Sequence, residues 1–243
     1  MKSNNSPIFV VGCRHSGTTI FLRILGAHSR LCAIPFESRF AIRWPAPCDA
    51  SQQFFAHCDY YTERMGKARW TEKTPDHILQ LKDVINYFPE SKIFLILRDG
   101  RDVACSIRDR CGSLEEGIDN WVKCNRAGQM FWEHPNVQLV RYEHFVTEFE
   151  TTVRNAIKFI GEEFEDSLLR YHETTKYYLG PRMDKPPNSF GGNLMPFRNW
   201  QINQPLFDGR GKWQGLSPED KDLIKRKAGD MLIEYGYATD LNW

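Results

Sequence analysis

The sequence lacks the marks of metal-binding, disulfide-linked and membrane-spanning proteins. Its seven cysteines are odd in number and include no Cys-x-x-Cys pair, which argues against a disulfide framework and against a zinc site. We therefore expect reduced thiols and no metal. No apolar run approaches the ~20 residues that a membrane-spanning helix needs, and the first predicted strand begins by residue 8. We thus expect no signal peptide, no membrane partner and a cytoplasmic location.

The sequence also lacks an excess of charge of either sign. It has 32 Lys and Arg against 31 Asp and Glu in 243 residues, a formal net charge of +1. Such a balance gives no electrostatic reason to expect nucleic acid as a partner, so any basic site must be local. The length suffices for one α/β domain with a full core, and we predict a single domain over residues 1–243.

Short strand-like runs alternate with helical patterns along the chain. The run at 92–97 holds five consecutive apolar residues, which is typical of a parallel strand buried on both faces. The alternation predicts a doubly wound parallel α/β fold whose ligands bind at the C-terminal ends of the strands. Strands are predicted at 8–11, 28–33, 92–97 and 137–140, and helices from 17 onward, over 51–67, 74–88, 101–111, 114–133, 149–160, 163–174 and 217–235.

Two stretches have the composition of loops. Residues 34–50 contain three prolines. Residues 176–215 contain five prolines and paired glycines and have no sustained periodicity. An irregular stretch this long is uncommon as a passive connection in a compact domain. We therefore predict that residues 176–215 form a lid or substrate-binding loop.

A glycine-bounded loop follows the first predicted strand. Its pattern is Gly-x-x-x-x-Gly-Thr-Thr from Gly12 to Thr19, and a strand, loop and helix in this order direct backbone N–H groups at an anion. A nucleotide triphosphatase would have Lys where Thr18 stands. Without that lysine the loop suits a 5′-phosphate followed by a less charged group. The alternative is an ordinary strand–turn–helix with incidental glycines.

A second candidate anion site follows the strand at 92–97. Arg98 stands at the strand exit, Ser106 lies eight residues further, and Arg110 is four residues beyond Ser106 on the same helical face. Arginine offers bidentate geometry to a phosphate. The alternative is a surface charge cluster at a helix start. Taken with the first loop, two anion sites on adjacent strand ends indicate a ligand with phosphate at both ends.

These two motifs resemble those of a known family. The run Val11–Thr19 is similar to the 5′-phosphosulfate loop of sulfotransferases, and Leu97–Ser106 is similar to their 3′-phosphate element. The Gly-Arg-Gly-Lys-Trp run at 209–213 also matches, and the resemblance spans about residues 7–236. It implies a P-loop fold of sulfotransferase type. It also implies metal-free transfer of a sulfuryl group from 3′-phosphoadenylyl sulfate (PAPS) to a hydroxyl or amine, leaving adenosine 3′,5′-bisphosphate (PAP).

The resemblance also suggests the catalytic groups. Glu37 occupies the position of the general base in the tyrosylprotein and heparan sulfate branches, and its context is most like the tyrosylprotein one; the alternative is a surface glutamate paired with Arg39. Lys73 resembles the lysine that those branches direct at the sulfuryl oxygens. A solvated lysine at a helix start is the alternative, although a cation there opposes the helix dipole. Glu72 is the second candidate base and His77 a third.

One position departs from the family pattern. The residue before Ser-Gly-Thr-Thr is usually Lys or Arg, and here it is His15, preceded by Arg14. A histidinium can donate to the leaving oxygen but titrates near neutrality, so we expect Arg14 to replace part of the missing charge. The other donor-binding residues that the resemblance implies are Ser16, Gly17, Thr18 and Thr19 on the 5′ side, Arg98, Ser106, Arg110 and Lys212 at the 3′-phosphate, and Tyr142 at the adenine, where a core aromatic is the alternative.

Two other classes of function compete with sulfuryl transfer. An ATP-dependent P-loop phosphotransferase explains the first loop but neither the missing loop lysine nor Arg98 with Ser106. A non-catalytic nucleotide-binding module leaves Glu37 and Lys73 without a role. The acceptor is expected to be a small metabolite or sugar held by residues 44–61 and 176–208. The dimerisation motif of cytosolic sulfotransferases is not found, so the oligomeric state stays open.

Overall fold

The computed structural model describes residues 6–43, 48–110, 112–174 and 199–243. Five strands form one sheet in the order β2-β3-β1-β4-β5, and every pairing in it is parallel. Helices flank the sheet, so the predicted α/β fold with a parallel sheet is confirmed. The strands are β1 Ile8–Gly12, β2 Leu31–Ala33, β3 Arg69–Lys73, β4 Lys92–Leu97 and β5 Val137–Arg141.

The helices follow the strands as the alternation predicts. They are α1 Thr18–Leu25, α2 Phe40–Arg43, α3 Asp49–Arg64, α4 Leu81–Tyr87, α5 Gly100–Arg108, α6 Leu114–Gln129, α7 Tyr142–Thr147, α8 Phe149–Phe159 and α9 Pro218–Glu234. Short 3-10 helices lie at Pro75–Gln80, Asp166–Leu168, Tyr171–Glu173 and Lys212–Gly215. Within the described ranges no helix has both the length and the apolar character needed to cross a membrane.

The two central strands explain why the sheet is covered on both faces. Every residue of β1 is buried, and so are the last five of β4. Phe9 belongs to one hydrophobic cluster with Trp70, while Val10 belongs to a second with Phe94. Successive residues of a strand leave opposite faces, so each cluster fills one side of the sheet. A fully buried side chain of this size contributes about 1.5–3 kcal/mol.

The register of the strands determines where a site can form. Gly12 of β1 pairs with Ile96 of β4, and Val10 pairs with Lys73 at the end of β3. Leu97 of β4 pairs with Arg141 at the end of β5. The segments that follow these four strands therefore start from one edge of the sheet, where parallel α/β folds bind their ligands.

Several predicted elements differ from the observed ones. Residues 69–73 form a strand inside the sheet, which the sequence pattern did not indicate, and the helix predicted from Thr74 divides into the 3-10 helix Pro75–Gln80 and α4. The helix predicted over 163–174 is wrong, because that stretch holds two 3-10 turns. Residues 34–50 contain the short helix α2. Residues 176–198, which are most of the predicted lid, and residues 44–47 of the predicted acceptor region lie outside the described residues.

Candidate active site

The loop after β1 has a backbone shaped for an anion. His15 has φ 67° and Gly17 has φ 98°, both in the left-handed region. In the described chain, α1 has no side-chain cap on its N-terminus and no acidic residue in its first turn, where Thr18 and Thr19 lie. Its first N–H groups therefore keep their capacity for an anion. The hydroxyl of Ser16 is buried and has no hydrogen-bond partner among the described residues, which also fits an oxygen-rich ligand.

The second predicted anion site touches this loop directly. Arg98 donates through Nη1 to the carbonyl of His15 at 2.9 Å, and Nδ1 of His15 lies 3.1 Å from Oγ of Ser106. Arg98 is 7% exposed, and its Nε has no hydrogen-bond partner in the described part of the chain. The structure thus brings residues 14–19 and residues 98–106 together, as the adjacency of β1 and β4 predicts.

A third segment, residues 207–213, closes over these two. Arg98 donates through Nη2 to the carbonyl of Gly209 at 2.5 Å, and its guanidinium lies 4.3 Å from the centre of the Tyr142 ring. The Tyr142 hydroxyl donates to the carbonyl of Phe207 at 2.9 Å and accepts from the Gly209 N–H at 3.2 Å. Tyr142 is 5% exposed, so its ring packs between the loops. Burial raises the pKa of its hydroxyl.

Asp102 on α5 anchors the other end of the 207–213 segment. Its carboxylate accepts the N–H of Gly211 at 2.9 Å and the N–H of Trp213 at 3.3 Å, and burial raises its pKa. Between these anchors, Nζ of Lys212 lies 3.6 Å from Asp109. Arg110 is half-buried and follows Asp109, the C-cap residue of α5. These two predicted phosphate ligands therefore lie near the C-terminal end of α5 rather than along it.

A buried ion pair lies at the neighbouring strand ends. Nζ of Lys73, the last residue of β3, is 2.5 Å from Oε1 of Glu37, which follows β2. The Lys73 side chain is 1% exposed and that of Glu37 is 16% exposed. Nη2 of Arg39 lies 3.7 Å from the other oxygen of Glu37. Lys73 thus ends a strand, and Thr74 separates it from the 3-10 helix Pro75–Gln80.

Arg14 is held by a residue that the sequence analysis missed. Its guanidinium donates from Nε to both carboxylate oxygens of Asp76, at 2.9 and 3.1 Å. These hydrogen bonds raise the pKa of Arg14, and the negative charge of Glu37 adds to the effect. Arg14 therefore lies within electrostatic reach of Glu37. The only local signal for Asp76 was an acidic residue in the first turn after Thr74-Pro75.

The two other candidate bases are shut away from solvent. Glu72 and His77 are both 0% exposed. Burial raises the pKa of Glu72 to about 7 and lowers that of His77 to about 3. Nδ1 of His77 lies 3.5 Å from Oε2 of Glu72. Because a general base must reach its proton, the geometry disfavours both residues for that role. Within the described ranges no group of three or more His, Cys, Asp or Glu could hold a metal ion.

Comparisons with known proteins indicate the family of the chain. A model described as the sulfotransferase family matches residues 45–166, just over half of the 243 residues. An uncharacterized protein of Aquifex aeolicus is 23% identical in an alignment of 207 positions, which covers 70% of this chain and 27% of that protein. A protein-tyrosine sulfotransferase of Drosophila melanogaster is 24% identical in an alignment of 271 positions, which covers 97% of this chain and 52% of that protein. The chain thus spans about a quarter and about half of these relatives.

Solved structures show the same fold at low sequence identity. The sulfotransferase domain from the curacin biosynthetic pathway has a TM-score of 0.61 at 17% identity, covering 93% of this chain and 97% of that one. Mouse sulfotransferase SULT7A1, complexed with PAP, has a TM-score of 0.58 at 18% identity, covering 98% and 90%. These comparisons do not favour an ATP-dependent phosphotransferase. The chain belongs to the sulfotransferase family of enzymes.

Proposed function

We propose that the protein transfers a sulfuryl group from PAPS to a hydroxyl or amine of a small-molecule acceptor, with Glu37 as the general base. One observation carries this proposal: the carboxylate of Glu37 meets the buried ammonium of Lys73, which pairs in the sheet with Val10, near the end of β1 where the glycine-bounded loop begins. A base and a cation at one sheet edge are the two groups that sulfuryl transfer requires, because the acceptor loses a proton while negative charge grows on the leaving oxygen.

The residues around the two loops fit a nucleotide with phosphates at both ends. The 5′ side would be held by the hydroxyl of Ser16, which has no partner among the described residues, by the first N–H groups of α1 and by the side chains of Thr18 and Thr19. Ser106, Arg110 and Lys212 would hold the 3′-phosphate, together with the buried Nε of Arg98. Bound PAPS would supply the sulfuryl group, and PAP would leave through the 5′-phosphate oxygen that carried this group.

Each member of the ion pair would have a separate task. Lys73 is fully desolvated, and a cation in such surroundings interacts more strongly with developing negative charge than it would in water. Glu37 forms this ion pair as a carboxylate, which is the form that accepts a proton from an acceptor. Glu37 keeps partial exposure, and an acceptor can therefore reach it.

His15 and Arg14 would act on the leaving side. The backbone of His15 is held by Arg98, and its ring lies against Ser106. A protonated imidazole there could donate a hydrogen bond to the leaving oxygen. Arg14 is turned toward Asp76, so we assign it the lesser share of the positive charge.

The acceptor would approach over the segment that precedes Glu37. A small groove lies there. Its apolar and aromatic walls suit a small organic molecule better than a strongly hydrated one. It is lined by Ile34, Pro35, Phe36, His57, Cys58 and Tyr61.

The experiment has a binding arm and a transfer arm. Isothermal titration with PAP, ATP and AMP should show the tightest binding for PAP; preference for ATP would support a phosphotransferase instead. Transfer from ³⁵S-labelled PAPS is then followed with a panel of phenols, alcohols, sugars and amines. Glu37→Gln should lower kcat by about 10²–10⁴-fold and leave PAP affinity unchanged.

Glu162→Gln is the matched control, since Glu162 is also part-buried and ion-paired but contacts Arg30 and Arg69. It should keep full activity. Tight PAP binding without transfer to any acceptor would favour a binding module, and full activity of Glu37→Gln would refute the assigned base.

A further inference from the structure

We propose that Glu72 is a positioning residue that holds the Glu37 loop, residues 37–40, where the Glu37 carboxylate meets Lys73. This inference rests on the proposed function, because it concerns the residue assigned there as the base. It gives Glu72 a task other than the proton transfer for which the sequence made it a candidate.

One carboxylate oxygen of Glu72 accepts the hydrogen bonds that hold the Glu37 loop. Oε1 accepts hydrogen bonds from the N–H of Ser38 at 2.9 Å, from the hydroxyl of Ser38 at 2.9 Å and from the hydroxyl of Thr74 at 2.6 Å. The Thr74 oxygen in turn accepts the N–H of Arg39 at 3.2 Å. The two backbone N–H groups that follow Glu37 are thus tied, directly or through one hydroxyl, to a single buried group on β3.

The loop needs such an anchor because its backbone is strained. Arg39 has φ 53°, in the left-handed region that a residue with a Cβ rarely adopts. Such a conformation persists only when the surrounding contacts determine it. Ser38 is 6% exposed and Thr74 is 1% exposed, so water does not easily replace these hydrogen bonds. Loss of the anchor should let Arg39 relax and carry Glu37 away from Lys73.

An amide should serve as well as the carboxylate. A glutamine at this position would still present an oxygen to Ser38 and Thr74. Its NH₂ group would then face Nδ1 of His77, which lies 3.5 Å from the present Oε2 and has no hydrogen-bond partner among the described residues. A leucine has a similar size but no acceptor. The glutamine and leucine variants therefore separate anchoring from proton transfer.

The first test measures kcat with labelled PAPS and the best acceptor of the panel, and PAP affinity by titration. Glu72→Gln should lower kcat by less than about tenfold, whereas Glu72→Leu should lower it by about 10²-fold through displacement of the base. PAP affinity should change in neither. Loss of about 10²–10⁴-fold in Glu72→Gln would make Glu72 the base and overturn the proposal.

A second variant keeps the test valid if Glu72→Leu fails to fold. Thr74→Val removes the hydroxyl that links Arg39 to Glu72 and leaves Ser38 in place. Its control is Thr62→Val, because Thr62 has an equally buried hydroxyl that donates to the carbonyl of Cys58 at 2.7 Å in α3. Thr74→Val should lower kcat, and Thr62→Val should not.

Hydrogen exchange gives a readout that needs no acceptor. The amides of Ser38 and Arg39 should lose protection in Glu72→Leu and Thr74→Val and keep it in Glu72→Gln. Unchanged protection and unchanged kcat in Thr74→Val would refute the positioning role even if Glu37→Gln is inactive. Full activity of Glu37→Gln would instead refute the proposed base itself, so the two failures are distinguishable.

Discussion

Substitution of Gly17 tests whether the loop between β1 and α1 requires a residue without a Cβ at this position. Its φ of 98° is unfavourable for any residue with a Cβ, and an added Cβ would lie 2.8 Å from Cδ2 and 3.1 Å from Cε2 of the buried Tyr142 ring. The left-handed backbone costs about 1–2 kcal/mol, and overpacking adds about 1–3 kcal/mol. Gly17→Ala should therefore lower the free energy of unfolding by about 2–5 kcal/mol, a large part of the stability of an ordinary domain.

The contact and the backbone strain can be measured separately. Gly161 has φ 74°, and its added Cβ would meet no described heavy atom within 4 Å. Gly161→Ala should show the backbone cost alone. The difference between the two variants in urea unfolding then measures the clash with Tyr142. PAP affinity should fall in Gly17→Ala, because the loop must shift, and should be unchanged in Gly161→Ala.

A double-mutant cycle identifies the partner. Tyr142→Leu removes the ring that Cβ would strike, so Gly17→Ala should destabilise this variant less than it destabilises the natural protein. Equal destabilisation in both backgrounds would show that the ring does not press on the loop. Equal unfolding free energies for Gly17→Ala and Gly161→Ala would refute the reasoning as a whole.

Two further predictions concern pH and the 207–213 segment. Because burial raises the pKa of Glu72 from 4.5 to about 7, the native protein retains a proton that the unfolded chain loses, and stability should fall as pH rises through that window. The pKa of His77 is lowered from 6.5 to about 3, so His77 should make the protein more stable as pH rises between those values. Urea unfolding of Glu72→Gln, His77→Leu and the natural protein across this pH range separates the two contributions. The guanidinium carbon of Arg101 lies 3.8 Å from the centre of the Trp213 ring and 4.7 Å from the centre of the Trp243 ring. Trp243→Ala should weaken PAP binding by up to about tenfold and leave kcat at saturating PAPS unchanged. An unchanged Kd for PAP in calorimetry would contradict this.

The sequence predicted the centre of the fold because local and tertiary preferences agree there. The apolar run of β4 is buried on both faces, as a parallel strand should be. The glycine-bounded loop between β1 and α1 follows from residue type alone, since only a short list of residues accepts positive φ. Neighbouring strand ends then brought Arg98 to His15 without further information.

The sequence could not predict β3, because its residues contradict the pattern of an interior strand. Thr71, Glu72 and Lys73 are polar, yet all three are buried. Apart from the Thr74 hydroxyl, the partners of the two charged residues lie far away in the chain: Ser38 for Glu72 and Glu37 for Lys73. Burial of a charge becomes tolerable only with such partners, and no local window of sequence contains them. The pairing of Arg14 with Asp76 was invisible for the same reason.

Arg98 has one role implied by the family motif and a second role visible in the structure. The resemblance to the family implies a ligand for the 3′-phosphate, but two of its guanidinium nitrogens donate to the carbonyls of His15 and Gly209. Those carbonyls belong to the two loops that would enclose opposite sides of the donor. A guanidinium can bridge both loops while keeping Nε for a third partner, which the single ammonium of a lysine cannot do in the same geometry. Arg98 therefore links the two candidate anion sites, and we expect a change in either loop to alter binding at both ends of the nucleotide.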